Sequence, residues 1–379
     1  MNALVVPRYG APEVVEIVAM AEPKAGPREI LVRVRATTVN SGDARIRAAR
    51  FPPGMNLLGR LMFGWSAPRR PVLGVDLAGV VEAVGRDVTA FTVGDRIVAM
   101  TGDRLGAHAE RCVIAADHCA VKLPDELSFE DAVTLPFGGT TALTFLKDRT
   151  HVRPGERVLV IGASGAVGTA CIQVARLLGA RVTGVCSSAN ADRVRSIGAE
   201  RVIDYRTTDL FELEERWDVV IDTVGEATVR QCRSVTTPTG RVGLVAAGLP
   251  QMWAAAVANL TGRQRIVVGP ANESADHLAQ LVAWLEAGVW TTVIDQRMPW
   301  REGVTAHRRV DSNRKVGSVV LTFGAATAEP VPPSRANQPP RNRRSRWRRR
   351  RRSRSWAFSS RTCCRTRSAS SRSSSGRSS

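Results

Sequence analysis

The sequence predicts an α/β protein: a β-rich, barrel-like part followed by an open parallel sheet with helices on both faces. Two patterns carry that expectation. Between residues 29 and 98, short segments alternate apolar and polar side chains and are punctuated by glycine, as half-buried strands are. From residue 158 onward, strand-like and helix-like stretches alternate at the spacing that crossover helices between parallel strands require.

In chain order, the β segments of the first part are 29–38 (EILVRVRATT), 74–84 (GVDLAGVVEAV) and 93–98 (VGDRIV). Residues 123–126 form a proline-containing joint. A helix is expected to start within 128–135, and another, over 140–146, enters the second part. There, strands are expected at 158–161, 182–185, 202–203, 219–222, 242–245 and 266–268, with helices at 173–178 and 191–197. Residues 275–287 carry Leu278, Leu281, Val282 and Leu285 as a helical stripe, which reads as core packing. The strand 317–323 (GSVVLTF) is expected to return to the first part.

The most informative stretch is RVLVIGASGAVGTACIQVARLLGA, residues 157–180. A buried strand runs into a glycine turn (Gly162, Gly165, Gly168) and then a helix, inside a βαβ unit. Glycine lets a backbone approach phosphates, and a helix N-terminus supplies free N–H groups and partial positive charge, so the segment suits a dinucleotide pyrophosphate. NAD-selective sites place an Asp or Glu about 20 residues further on to hold the ribose 2′-hydroxyl. Here the second strand runs into Cys186, Ser187, Ser188, Ala189 and Asn190. Two hydroxyls and the nearby Arg193 suit a 2′-phosphate, which favours NADP(H) over NAD(H). Asp192 lies close by and keeps NAD(H) open, and Arg193 read alone is a solvated helix charge.

The 379 residues suffice for two domains. The net charge of +19 is uneven: residues 325–379 hold sixteen Arg and one Glu, leaving only +4 for everything before them. The body is therefore mildly basic, and its pI gives no argument for nucleic-acid binding. Seven cysteines (112, 119, 171, 186, 232, 363, 364) form no CxxC pair and read as reduced thiols. No basic-then-apolar leader opens the sequence, and no uncharged apolar stretch reaches spanning length, so a cytoplasmic protein with no membrane partner is expected.

After Gly324, Pro, Ser and Arg dominate, including RRSRWRRRRRSRS at 343–355. Such a segment buries too little apolar surface to offset its ordering entropy and is expected to be disordered. It reads either as a tail that binds nucleic acid non-specifically, by counterion release, or as a translated frameshift.

With these residues in hand, the chain resembles the medium-chain dehydrogenase/reductase superfamily, in particular its zinc-independent quinone oxidoreductase (zeta-crystallin-like) branch. The resemblance rests on TTVNSGD (37–43), PVLGVDLAGVVEAVG (71–85), FTVGDRIVA (91–99), LPFGGTTAL (135–143), VLVIGASGAVGTACIQVARLLGA (158–180), RSIGAERVIDY (195–205), DVVIDTVG (218–225) and RKVGSVVL (314–321). It implies a GroES-like barrel domain over 1–125, a Rossmann nucleotide domain over 126–272, a return to the first domain over 273–324, and an active site in the cleft between. It also implies a homodimer, paired through the apolar strand 266–268.

The same resemblance implies that Asn40 and Asp43 line the cleft beside the nicotinamide ribose and that Thr141 touches the nicotinamide. Gly162, Ala163, Ser164, Gly165, Ala166, Val167, Gly168, Ser187, Ser188, Arg193, Asn313 and Lys315 would hold the rest of the cofactor. Zinc enzymes of the superfamily carry a Cys where this chain has Asn40, and a His–Glu pair where it has Val75 and Asp76. Their four-cysteine lobe is missing, so no zinc is expected. The spacing of His108, Cys112, His118 and Cys119 fits no standard ligand pair. Arg45 stands where quinone reductases of this kind often have Tyr; pointing inward it would stabilise a developing oxyanion, and pointing outward it is a solvated charge.

These features imply an NADPH-dependent reductase of quinones, enones or related carbonyls. The alternatives are an alcohol dehydrogenase-like enzyme and a nucleotide-binding interaction protein with nucleic-acid affinity through its tail.

Overall fold

A computed structural model describes residues 1–324; the basic segment 325–379 lies outside the described residues. Six strands form one parallel sheet in the spatial order Arg201–Asp204, Arg181–Cys186, Arg157–Ile161, Trp217–Asp222, Thr236–Leu244, Arg265–Val268. Numbered along the chain, that order is 3-2-1-4-5-6, the doubly wound arrangement. The first strand reads as an unbroken apolar run because helices cover both its faces: Val158, Leu159 and Val160 are fully buried. Chain direction across the sheet reverses between Arg157–Ile161 and Trp217–Asp222, and ligands of such sheets bind at the carboxyl ends of strands at that switch point.

The second sheet is mostly antiparallel. Its order is Ile294–Pro299, Ser318–Thr322, Glu29–Val39, Asp76–Val84, Arg96–Met100, Ala120–Lys122, with Arg111–Ala115 pairing Glu29–Val39 as well. Glu29–Val39 is its spine. Ile30, Val32, Val34 and Ala36 point into the core at every second position. The late strand Ser318–Thr322 returns beside it, as expected, with Val319 opposite Val39 and Thr322 opposite Ala36. One apolar core runs from Val158 and Val160 under the parallel sheet into Ala36, Ala78, Val98 and Val320 of the barrel.

Three elements differ from expectation. The strand expected at 93–98 begins only at Arg96, because Gly94 adopts φ +96° in the preceding turn. The helix expected at 173–178 starts at Ala166, directly after the glycine turn. The helix expected over 140–146 is one stretch of a longer helical run in which Pro136–Thr140 and Thr144–Arg149 are wound as π-helix around Thr141–Leu143. Close packing accompanies that local widening: a Cβ on Gly138 would lie 2.7 Å from the Ala166 carbonyl oxygen, and one on Gly139 2.5 Å from Leu281. The helices Ser41–Ala48, Asn56–Phe63, Leu249–Thr261 and Gly303–Asp311 have no counterpart in the sequence pattern.

Candidate active site

The glycine turn sits at the switch point, and each of its glycines has a separate reason. Gly162 takes φ +79°, and a Cβ there would lie 2.6 Å from both Thr223 and Val224. Gly168 lets the helix press on the turn: a Cβ would stand 2.1 Å from the Gly162 carbonyl oxygen. Gly165 is different. It has ordinary φ, and its Cβ would meet only the Gly162 oxygen, at 3.5 Å. It is the N-cap of Ala166–Leu177 and offers no side chain to cap the helix, so the first N–H groups stay available. Ser164, Gly165, Ala166 and Val167 are partly exposed, while Ala163 and Gly168 are buried. A partly open helix N-terminus with no side-chain cap fits a pyrophosphate.

The facing wall comes from the barrel. Asn40 caps the helix Ser41–Ala48 reciprocally: its Oδ1 accepts from the Asp43 N–H, and Asp43 Oδ2 accepts from the Asn40 N–H, each at 3.0 Å. The other oxygen of Asp43 accepts from the Gly74 N–H at 3.0 Å. Burial raises the Asp43 carboxyl, against the opposing pull of His108 and these N–H groups. Beside it, Asp76 is fully buried; burial pushes its carboxyl up to about 8, against the bond it accepts from the Thr38 hydroxyl (2.6 Å). Asp76 Oδ1 and Asn40 Nδ2 are buried without a hydrogen-bond partner. Both residues line one small cavity together with Phe137, Ala166, Lys315 and Ser318. Lys315 Nζ donates to the Gly317 carbonyl at 2.9 Å, and burial brings its ammonium down to about 8. The two walls are joined where the Gly317 N–H donates to the Ser164 carbonyl at 2.8 Å.

Behind this wall lies a second polar layer. His108 Nε2 donates to the Thr38 carbonyl at 2.9 Å, and the His108 ring stands edge-on to His307. Arg47, fully buried, bonds His307, the Gly10 carbonyl and Asp311. Desolvation holds the His307 imidazole well below its usual value, and the Arg47 guanidinium acts in the same direction.

Of the expected site residues, the structure brings Asn40, Ala166 and Lys315 to one cavity, with Asp43 bonded directly to Asn40. Thr141 is buried on its helix with its hydroxyl on the Phe137 carbonyl. Asn313 is exposed, at φ +54°, two residues before Lys315. Arg45 is half-buried, has no ion pair among the described residues, and its guanidinium is lowered by that burial. Ser187, Ser188 and Arg193 lie apart from that cavity, at the end of Arg181–Cys186 and on the next helix; Arg193 is exposed without an ion pair among the described residues. Sequence reasoning missed Asp204, which sits in register with Cys186 on the neighbouring strand and accepts from the Ser188 N–H (2.9 Å) and the Arg206 N–H (2.9 Å). It also passed over Asp76 as a cleft residue, although Asp76 lines the same cavity as Asn40. Among the described residues, no three His, Cys, Asp or Glu side chains gather as a metal-binding group. His118 bonds Glu273 instead, and the five described cysteines are free and buried.

Comparison with known proteins adds the following. Residues 26–126 match the family model of the alcohol dehydrogenase GroES-like domain, and residues 197–321 match that of zinc-binding dehydrogenases. A quinone oxidoreductase of Pseudomonas aeruginosa is 32% identical over 330 residues, spanning 83% of this chain and 97% of that protein. The structure of Escherichia coli quinone oxidoreductase complexed with NADPH superposes with TM-score 0.73 at 26% identity, over 85% of this chain and all of that one. An NAD-dependent alcohol dehydrogenase superposes with TM-score 0.72 at 28% identity, over 86% of this chain.

Proposed function

The chain belongs to the medium-chain dehydrogenase/reductase superfamily, in its quinone oxidoreductase branch, and from that premise we propose that it reduces quinones, enones or related carbonyls with NADPH and without zinc. It is an NAD(P)H-dependent oxidoreductase. The observation that carries the finer reading is the opposition, across one cavity, of an uncapped helix N-terminus and a barrel wall whose Asn40 Nδ2 and Asp76 Oδ1 have no partner.

In this reading the backbone from Gly162 to Gly168 holds the pyrophosphate. Ser187, Ser188 and Arg193 take the 2′-phosphate, beside the Asp204 carboxylate that the Ser188 and Arg206 N–H groups hold. Thr141, Asn313 and Lys315 complete the cofactor contacts, and Asn40 and Asp43 orient the nicotinamide ribose. When bound, the nicotinamide supplies hydride. Asp76 stays protonated to about pH 8 and so holds a proton at its carboxyl on the cleft floor. Arg45, desolvated and unpaired among the described residues, offers positive charge to an oxyanion. An acceptor that is already electron-poor needs no metal to polarise it, so orientation does most of the work.

The reading divides the chain at 1–125, 126–272 and 273–324 and makes the protein a homodimer. Arg265–Val268 ends the parallel sheet, and two such edges paired about a two-fold axis would satisfy each other. The test is a panel of quinones, enones, aldehydes and secondary alcohols with NADPH and with NADH, in buffer containing a chelator. The expected result is quinone- or enone-dependent NADPH oxidation that chelation leaves unchanged. Turnover only with alcohols and NAD, or activity restored only by zinc, overturns the proposal.

A further inference from the structure

Asn40 and Asp76 line the cleft cavity from the barrel side, at 4% and 0% exposure, and neighbouring bonds decide what each can offer there. Asn40 Oδ1 accepts from the Asp43 N–H, so the atom left without a partner is the amide nitrogen, a donor. Asp76 Oδ2 accepts from the Thr38 hydroxyl at 2.6 Å, so in the protonated carboxyl the hydrogen sits on Oδ1, the oxygen without a partner. Two buried donors thus belong to one cavity. It measures about 10 Å³, room for a single water. A water that accepts from both has its lone pairs filled and its two hydrogens free to bond a third group.

The other titratable groups around Asp76 are engaged elsewhere. Asp43 has both oxygens on N–H groups, those of Asn40 and Gly74. Glu273, on the loop after Arg265–Val268, bonds His118. On the short helix Phe129–Ala132, packed against the same strand as Asp76, Glu130 and Asp131 pair with Arg297. His108 donates to the Thr38 carbonyl, and Lys315 Nζ to that of Gly317. Cys119 is buried, its thiol pushed up to about 12. The charges that act on Asp76, those of Asp43 and Glu273, are both negative and add to burial in favouring its protonated form.

We propose that Asn40 and Asp76 hold one water in this cavity, and that Asp76 supplies through it the proton that the acceptor's oxygen takes when hydride arrives from NADPH. This rests on the reading that places hydride transfer in the cleft. Hydride adds to the acceptor and leaves an electron pair on its oxygen. That oxygen takes a hydrogen from the water, the water takes the Oδ1 hydrogen, and Asp76 is left as a carboxylate. After product leaves, one proton from solvent returns through the water, so each turnover consumes one NADPH, one acceptor and one proton. A carboxyl that titrates at about 8 carries its proton at neutral pH and releases it there at little cost.

The test is the single-turnover rate of NADPH oxidation against pH for wild type, Asp76→Asn and Thr38→Val, with an acceptor that the wild type reduces. The wild-type rate should be level at neutral pH and fall as pH rises through about 8. Asp76→Asn keeps the shape but has no proton to give: its rate at neutral pH should be at least tenfold lower, with no fall near pH 8 and NADPH affinity unchanged. Thr38→Val removes a bond that favours the carboxylate, so its fall should come at higher pH than in the wild type, a shift that a merely structural role for Asp76 would not produce. If Asp76→Asn does not fold, Thr38→Val decides. A wild-type rate and profile in Asp76→Asn, or a Thr38→Val profile that does not move, overturns the inference and leaves the cofactor and acceptor assignment standing. A wild type that reduces no quinone, enone or carbonyl overturns that assignment, and the inference with it.

Discussion

On its parallel-sheet side the cleft presents backbone: Gly162 to Gly168 offer N–H groups, with no ionisable side chain among them. On its barrel side it presents side chains, with Asn40, Asp43, Asp76 and Lys315 in front and His108, His307 and Arg47 behind. The first wall works by what is absent and is sensitive to a single added carbon. The second works by what is paired, and is sensitive to the loss of a partner. The difference also sets how each wall depends on pH, since only the second titrates.

The sharpest break should come from Gly168→Ala. Its Cβ must displace the Gly162 carbonyl, and the loss of stability in urea should be about 3 kcal/mol, with cofactor binding lost as well. Next is Asp43→Ala, which strands the N–H groups of Asn40 and Gly74 without changing any backbone. A loss of about 2 kcal/mol by the same measurement is expected, with the cavity wall loosened. A third experiment separates the walls by pH. The Asp76 carboxyl titrates at about 8 in the folded chain and near 3.9 unfolded, so its contribution to stability is fully present below about pH 4 and is lost as pH rises through 8. Asp76→Asn, neutral throughout, should therefore gain steadily on the wild type between pH 5 and 8 in parallel unfolding curves; a constant difference would mean that Asp76 is ionised in the fold. The smallest effect belongs to Arg193→Ala. It should weaken NADPH five- to tenfold, about 1 kcal/mol, and leave NADH unchanged in a fluorescence titration.

The backbone wall was legible in the sequence because its signals are local. Strand, glycine turn and helix follow one another within 157–180, and an open parallel sheet follows from alternation, though not its strand order. The side-chain wall was not. Asn40 and Asp43 were reached only through family resemblance, and the layer behind them is knit by contacts such as Arg47 to His307 and Asp311, more than 250 residues apart. Asp204 escaped because it belongs to the neighbouring strand, and only the register brings it to Ser188. The outward-facing helices Asn56–Phe63 and Leu249–Thr261 escaped for another reason: pattern reading assigns an apolar stripe to the core, and these turn it to solvent.

Gly165→Ala tests the division of labour most directly, because its Cβ makes only one ordinary contact in the fold, with the Gly162 oxygen at 3.5 Å, whereas a bound phosphate would meet it. The measurement is a titration of NADPH into wild type and variant, with melting curves run alongside. The expected result is an unchanged melting temperature and NADPH affinity reduced at least tenfold, about 1.4 kcal/mol. Equal affinity in the two proteins would contradict it and place the pyrophosphate away from the glycine turn.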